Sequence, residues 1–346
     1  MTIKAFLFAS AAALSTASGA FAADAIVAAE PEPMEYVRVC DAFGTGYFYI
    51  PGTETCLKIG GYIRFQTDFG RDESGTSDWN TFTRAQLEFT AKNDTEFGTL
   101  TSLVALRTNA RNSSGSSDSN TFLDEGYFDI AGFRVGMQYN WWDNDLSGET
   151  DVLASNDTRH NAIRYMYETD AFSAGVAVEE LEDGYATKLG EAANNVGVLG
   201  QISGTVGGVT AYLLGGYDTD TEEGAIRAIV YADIGPGQLG VYGAYATGAN
   251  YYYEESEWTA GAQYELKIND KFAITPGFQY FGKVARASAN NGTLFTGFSG
   301  DDAWTAGVTV DYKITDGLKT KVSVQYRDED NADDEVFGFL RLQRDF

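Results

Sequence analysis

Leu57-Lys58-Ile59-Gly60-Gly61-Tyr62-Ile63-Arg64-Phe65-Gln66-Thr67-Asp68 alternates in polarity with a period of two residues. Leu57, Ile59, Ile63 and Phe65 fall on one face, and Lys58, Arg64, Gln66 and Asp68 on the other. A β-strand turns successive side chains to opposite faces, so this reads as a strand with one apolar and one polar side. Helical spacing fits neither set.

Downstream the pattern repeats. In Thr83-Arg84-Ala85-Gln86-Leu87-Glu88-Phe89-Thr90, Leu87 and Phe89 oppose Arg84, Gln86 and Glu88. Near the far end, Trp304, Ala306, Val308, Val310 and Tyr312 alternate with Thr305, Gly307, Thr309 and Asp311. Carried along the chain, the pattern predicts 16 strands, at about 57–68, 82–92, 99–109, 121–130, 133–142, 160–169, 172–180, 195–204, 209–217, 225–234, 238–247, 257–268, 271–281, 302–312, 317–327 and 335–346.

The links between strands alternate too. Ala131-Gly132, Asp170-Ala171, Gly207-Gly208, Gly235-Pro236-Gly237, Asn269-Asp270 and Thr315-Asp316-Gly317 are turn-like. Between them run longer polar links, near 69–81, 110–120, 143–159, 181–194, 218–224, 248–256, 282–301 and 328–334. A β-sandwich gives no reason for such alternation. An up-and-down barrel threading a bilayer does, with tight turns on one side and long loops on the other. Strands of about ten residues, tilted, have the reach to cross. An even strand number closes an antiparallel barrel without leaving an edge.

Composition agrees. Gly is abundant (39), Pro scarce (5) and aromatic residues reach 14%. Beyond the N-terminal segment no apolar run is long enough for a membrane helix. With 24 basic against 50 acidic residues the net charge is −26, which argues against nucleic acid as a partner. Residues 1–22 have the layout of a secretory signal peptide: Lys4, an apolar stretch from Ala5 to Leu14, and Ala20-Phe21-Ala22 as the cleavage site. Residues 23–56 form a lead-in that differs from the rest, and the barrel is expected over 57–346. The two cysteines, Cys40 and Cys56, read as a disulfide in an exported chain. Free thiols or a metal pair are the alternatives, and no nearby His or second CxxC completes a zinc site.

The segment Val37-Arg38-Val39-Cys40-Asp41-Ala42-Phe43-Gly44-Thr45-Gly46-Tyr47-Phe48-Tyr49-Ile50-Pro51-Gly52, with Thr53 to Arg64 after it, resembles the opening of the alphaproteobacterial general outer-membrane porins. Ala23-Asp24-Ala25-Ile26-Val27 and the ending Gln343-Arg344-Asp345-Phe346 are similar to that family as well. The resemblance implies a 16-stranded barrel, a homotrimer and passive diffusion of small hydrophilic solutes and ions through the outer membrane of a Gram-negative bacterium. The final strand, ending on Phe346, resembles the signal read by the barrel assembly machinery.

A diffusion pore needs a charged, wet waist. Phasing each strand by its apolar face turns Arg64, Arg84, Arg107, Arg134 and Arg164 inward as one basic ladder, because a charge facing lipid at mid-membrane costs about 2–4 kcal/mol. In general porins the third external loop folds into the lumen. Carried onto this chain, Asp143, Asp145, Glu149 and Asp151 would face the arginines and set up a transverse field. The competing reading of that run is a solvated acidic loop. External carboxylates should enrich cations at the mouth and give a weak cation preference.

Acidic runs at 218–223 and 328–335 read as solvated loops bridged to lipopolysaccharide by divalent ions. The second lacks the Gly that an EF-hand turn needs. No cofactor and no catalysis are expected. His160 is the only histidine and reads as structural, no G-x-S-x-G is present, and Gly44-Thr45-Gly46 is no dinucleotide motif. Trp141, Trp142, Tyr165, Tyr167, Trp258, Tyr264, Phe278, Tyr280, Trp304, Tyr312 and Tyr326 are expected in interfacial girdles. A substrate-selective channel, and a closed barrel that binds partners through its external loops, are the alternatives to a general pore.

Overall fold

The alternation that defines each segment becomes, in the computed structural model, an inversion of the usual protein interior. The structure describes residues 37–113, 116–154, 158–181, 195–248, 250–287 and 295–346. The expected signal peptide and the lead-in up to residue 36 lie outside the described residues.

Sixteen long strands form the wall: β1 Cys56–Phe69, β2 Trp79–Thr95, β3 Gly98–Ser113, β4 Ser116–Ile130, β5 Phe133–Tyr139, β6 Arg159–Glu168, β7 Phe172–Leu181, β8 Asn195–Val206, β9 Val209–Asp218, β10 Glu223–Ile234, β11 Gly237–Ala246, β12 Ser256–Asn269, β13 Phe272–Ala287, β14 Ala303–Thr315, β15 Leu318–Glu329 and β16 Glu335–Asp345. Each pairs antiparallel with its sequence neighbour, and β16 returns to pair with β1, from Gly338↔Phe69 to Asp345↔Tyr62. At the seam, Phe346 N–H donates to Gly61 O at 3.0 Å and Gly61 N–H to Phe346 O at 3.2 Å. Only glycine serves at position 61. Its φ is +146°, and a Cβ there would lie 2.0 Å from the Gln86 carbonyl oxygen.

Every predicted strand is present. The largest differences lie at the second and third long links. The expected loop over 110–120 is largely strand, since pairing continues to Ser113↔Ser116 and makes a long hairpin. Backbone ladders need no apolar face, so this polar stretch prolongs them past the apolar belt. β5 is shorter than predicted, ending at Tyr139 instead of continuing through Trp142.

Large apolar side chains stay exposed around the outside. Ile63 and Phe65 on β1, Val176 and Val178 on β7, Ile226 on β10, Val241 on β11 and Leu340 on β16 are all between 47% and 62% exposed. The fully enclosed positions are instead polar: Gln138, Thr275, Gln279, Thr309, Ser323 and Gln325 are each at most 1% exposed. A water-soluble monomer seldom shows more than a few hundred Å² of contiguous apolar surface. An apolar belt around a polar lumen is built for a bilayer.

Nine of the eleven predicted girdle aromatics share the outward phase of this belt. Trp258 packs on Tyr280 (5.4 Å between ring centroids), and Trp304 on Tyr326 (5.3 Å), toward the long-link rim. Phe133 and Tyr165 meet at 4.8 Å toward the other rim. Trp141 and Trp142 are the exceptions. Both are buried inside the barrel, because the chain leaves the wall at Tyr139 and turns into the lumen, which ends the strand's two-residue phase.

At the short-link rim, Cys40 and Cys56 form a disulfide. They are buried with Tyr47, and Phe43 and Tyr49 pack against them. The short strand Phe48–Tyr49 pairs with the start of β1. Arg38 lies over the Tyr49 ring, 3.8 Å from its centroid.

Candidate pore constriction

Asn140, the first residue beyond β5, redirects the chain. Its side-chain oxygen accepts from Trp142 N–H at 2.9 Å, capping the 3₁₀ turn Trp141–Asp143. Its own N–H donates to Thr158 O at 2.8 Å and closes the base of the third long link. Its amide also donates to Glu179 at 3.0 Å. The link then runs along the inner face of β10 to β15, where the inward polar residues bind its backbone. Gly148 N–H donates to Gln263, Glu149 N–H to Thr309 and Val152 N–H to Gln279, at 3.0, 3.1 and 2.7 Å. Thr150 donates to Gln325 at 3.0 Å.

Arg227 is the main anchor. Its guanidinium donates to the carbonyls of Trp141 (2.7 Å), Trp142 (2.8 Å) and Leu153 (3.2 Å). Leu146 and Leu153 supply apolar contact with Ile229 and Tyr242. Gly240 makes room for Leu146: a Cβ at position 240 would stand 2.4 Å from its Cδ2. The acidic run is therefore a lumen-lining loop, not a solvated external one.

The wall formed by β16, β1, β2 and β3 carries guanidinium groups, each held by an amide directly opposite on the next strand. Arg341 Nε donates to Gln66 (2.6 Å), Arg64 Nε to Gln343 (2.7 Å), Arg84 Nε to Asn109 (2.7 Å) and Arg107 Nε to Gln86 (2.9 Å). The register places all four pairs face to face, and sets Arg64 opposite Arg84. Spending Nε on an amide fixes each side chain upright and leaves the charged tip available. Arg107 also meets Asp124 at 2.6 Å and the Tyr139 hydroxyl at 2.8 Å. Arg159 meets the same Asp124 at 3.2 Å.

The five arginines picked from the sequence do not form one ladder. Arg64, Arg84 and Arg107 stand on adjacent strands. Arg134 and Arg164 are paired with each other nearer the short-link rim, where Asp129 takes Arg134 through two hydrogen bonds of 2.7 and 2.8 Å. Arg164 lies 5.9 Å from the Trp141 ring.

The four carboxylates also divide. Glu149 meets Lys321 at 2.8 Å and Arg341 at 4.0 Å, so it is where the loop touches the cationic side. Asp143 accepts from Thr158 at 2.6 Å, and Asp151 from Leu146 N–H at 3.1 Å, each serving the loop's own fold. Asp145 opens to the lumen from deep within the barrel. That enclosure, and then the charges of Asp151 and Asp143, push its carboxyl up to about 7. Burial raises Asp143 and Asp151 as well.

A family model described as the porin subfamily matches residues 24–339 of this sequence. The chain belongs to the porin subfamily.

Among this porin's relatives, outer membrane protein IIIA of Rhizobium leguminosarum bv. viciae is 47% identical, over 98% of this chain and 93% of its own length. Porin Omp2b of Brucella neotomae is 34% identical over the full length of both. Among solved structures, the trimer form of OmpT of Vibrio cholerae superposes with a TM-score of 0.59 at 15% identity, covering 85% of this chain and all of that one. At that identity the likeness concerns the fold.

Several lumen residues of this porin escape a reading of the sequence. Arg341 and Lys321 lie on late strands whose phase equally allows them, but nothing local separates them from ordinary basic residues. The amides opposite each arginine become visible only once register is known. Tyr251-Tyr252-Tyr253 carries a signal that was legible: three consecutive aromatics are out of place in a solvated link. All three are at most 1% exposed, folded inward from the sixth long link. Asn250 accepts from the N–H groups of Tyr252 and Tyr253, at 2.9 and 3.2 Å. His160 is the second residue of β6, at the junction with the third long link. It is buried 3.4 Å from Glu179 and edge-on to Tyr251, with ring centroids 5.1 Å apart. Among the described residues no group of His, Cys, Asp or Glu is arranged to hold a metal ion.

Proposed function

We propose that this porin is a passive diffusion channel for small hydrophilic solutes and ions in the outer membrane of a Gram-negative bacterium. It works as a homotrimer, without cofactor, energy coupling or catalysis. The observation that carries the reading is the third long link, bound along one side of a polar lumen and, among the described residues, meeting the arginine wall only through Glu149 at Arg341. Solutes move down their gradients through water. At the waist, Glu149 and the neighbouring Asp145 lie on the loop side and Arg64, Arg84, Arg107 and Arg341 on the other wall, with Glu149 in reach of Arg341. The low-dielectric wall strengthens the field between the two sides. A dipolar solute that aligns with the field passes more easily than an apolar one, which must displace oriented water. The trimer form of OmpT supports the assembly state.

The remaining parts take their roles from this reading. Residues 1–22 direct export, residues 23–56 serve as a periplasmic lead-in, and the disulfide clip lies with the short links. The long links face outward, where their carboxylates meet lipopolysaccharide through divalent ions. The Phe346 strand, zipped to Gly61, is what the assembly machinery reads. A weak cation preference follows from the excess of carboxylates over basic groups.

Planar-bilayer recording of the purified trimer, with a salt gradient, tests this. Large ohmic steps that close in thirds, with a reversal potential of cationic sign, are expected. A folded protein that gives no steps would overturn the channel reading in favour of a closed barrel acting through its external loops.

A further inference from the structure

Between the third long link and the inner face of β8, β9 and β10 lies a cavity of about 320 Å³. The link contributes Asp143, Asn144 and Asp145 to its lining, and the wall contributes Gln201, Leu214 and Arg227, which stand side by side across the three strands. Tyr212 and Tyr231 close one end, with rings at 90° and centroids 6.2 Å apart.

Three features of this cavity are chemical instructions. Arg227 is taken up by three loop carbonyls, so its donors serve the loop and not a solute. Asp143 and Asp145, with Asp151 beside them, outnumber that single guanidinium and leave the space negative. Gln201 is only 6% exposed, lines the cavity, and among the described residues its amide makes no hydrogen bond. That amide reaches the cavity and is free to donate to, or accept from, a polar group of a solute.

Two tyrosine rings at right angles form an aromatic corner next to carboxylates. Such a corner favours a weakly hydrated organic cation over a compact inorganic one, because the ring faces attract charge without replacing a tight hydration shell. The unpartnered amide adds a site for a hydroxyl or carbonyl. We infer that this cavity is a binding subsite for small quaternary ammonium solutes that carry a hydroxyl or carbonyl group. It rests on the channel reading above and adds a solute class to it: such solutes pause at the loop before crossing the waist.

Choline is the probe, and its uncharged carbon analogue, with a tert-butyl group in place of the trimethylammonium, is the control. In bilayers under potassium chloride, choline is expected to reduce the current saturably, while the analogue gives no saturable block. Tyr212→Leu and Gln201→Leu should each raise the half-blocking concentration about fivefold, the equivalent of about 1 kcal/mol for one aromatic or polar contact. Equal block by the neutral analogue, or unchanged block in both variants, would sink the subsite while leaving the channel intact. Calorimetric titration of the detergent-solubilised trimer with choline decides the matter without conduction. Heat from a silent protein would keep the subsite and overturn the channel, and absence of heat would overturn the subsite.

Discussion

Trp142 and Tyr252 stack with ring centroids 5.7 Å apart and an interplanar angle of 27°, joining the third and sixth long links inside the barrel. Two loops far apart in sequence thus share one buried aromatic contact, although each is anchored separately to the wall. An aromatic pair of this kind contributes about 0.5–1.5 kcal/mol beyond the area it buries. Tyr252→Ala should loosen both loops without opening the backbone ladder. Conductance and open-channel noise are expected to rise, with the β-sheet signal in circular dichroism unchanged. Unaltered noise would show that the sixth link does not restrain the third.

Arg227 holds three carbonyls of the third link at once. Arg227→Met keeps much of the volume but orphans those acceptors, at about 1–3 kcal/mol each where water cannot replace the donor. The lumen is wet, so the loop should detach instead of the barrel unfolding. Larger solutes are expected to enter liposomes faster in swelling assays, and protease should cut within 140–158.

Asp145 gives the waist a dependence on pH. Its carboxyl is raised to about 7, so it is neutral below that value and negative above it. Cation preference, read from the reversal potential, should therefore grow as pH rises from about 6 to 8. Asp145→Asn should flatten the profile at its acid-side value. A slope that survives the substitution would assign the titration to another group.

Arg84 stands opposite Arg64 and, among the described residues, has no carboxylate within ion-pair distance. One charge acting at about 4 Å in water is worth about 1 kcal/mol, or about fivefold in a permeability ratio. Arg84→Glu should shift selectivity toward cations by at least that factor. No shift in reversal potential would place the narrowest point elsewhere.

The Cys40–Cys56 disulfide closes a short loop outside the wall. In the chain-entropy model such a bridge contributes about 3 kcal/mol. That stability belongs to the clip around Tyr47, not to the sixteen-stranded ladder. Replacing both cysteines with serine should make residues 37–56 protease-sensitive and leave conductance as it was. Loss of conductance would mean that the clip supports the pore.

The wall of this porin was legible because each strand states its own two faces locally. Ile63 and Phe65 point to lipid and Arg64 and Gln66 to water whatever the partner strand is. The arginine side was legible in part, since Arg64, Arg84 and Arg107 each announce an inward phase. Arg341 and Lys321 were missed, because a basic residue late in the chain carries no mark of the loop it will meet. Trp141 and Trp142 were placed wrongly, as the two-residue phase was carried past the point where the strand stops.

By itself, then, the sequence determined the barrel, its strand number and which face of each strand turns inward, because period-two patterning is a property of a dozen consecutive residues. Only the tertiary structure decided which inward residues work together. Glu149 reaches Lys321 and Arg341, Gln66 supports Arg341, and Trp142 meets Tyr252 through ring closure and register. These depend on where the sheet meets itself and where a loop leaves the wall, and neither is encoded in any local stretch of chain.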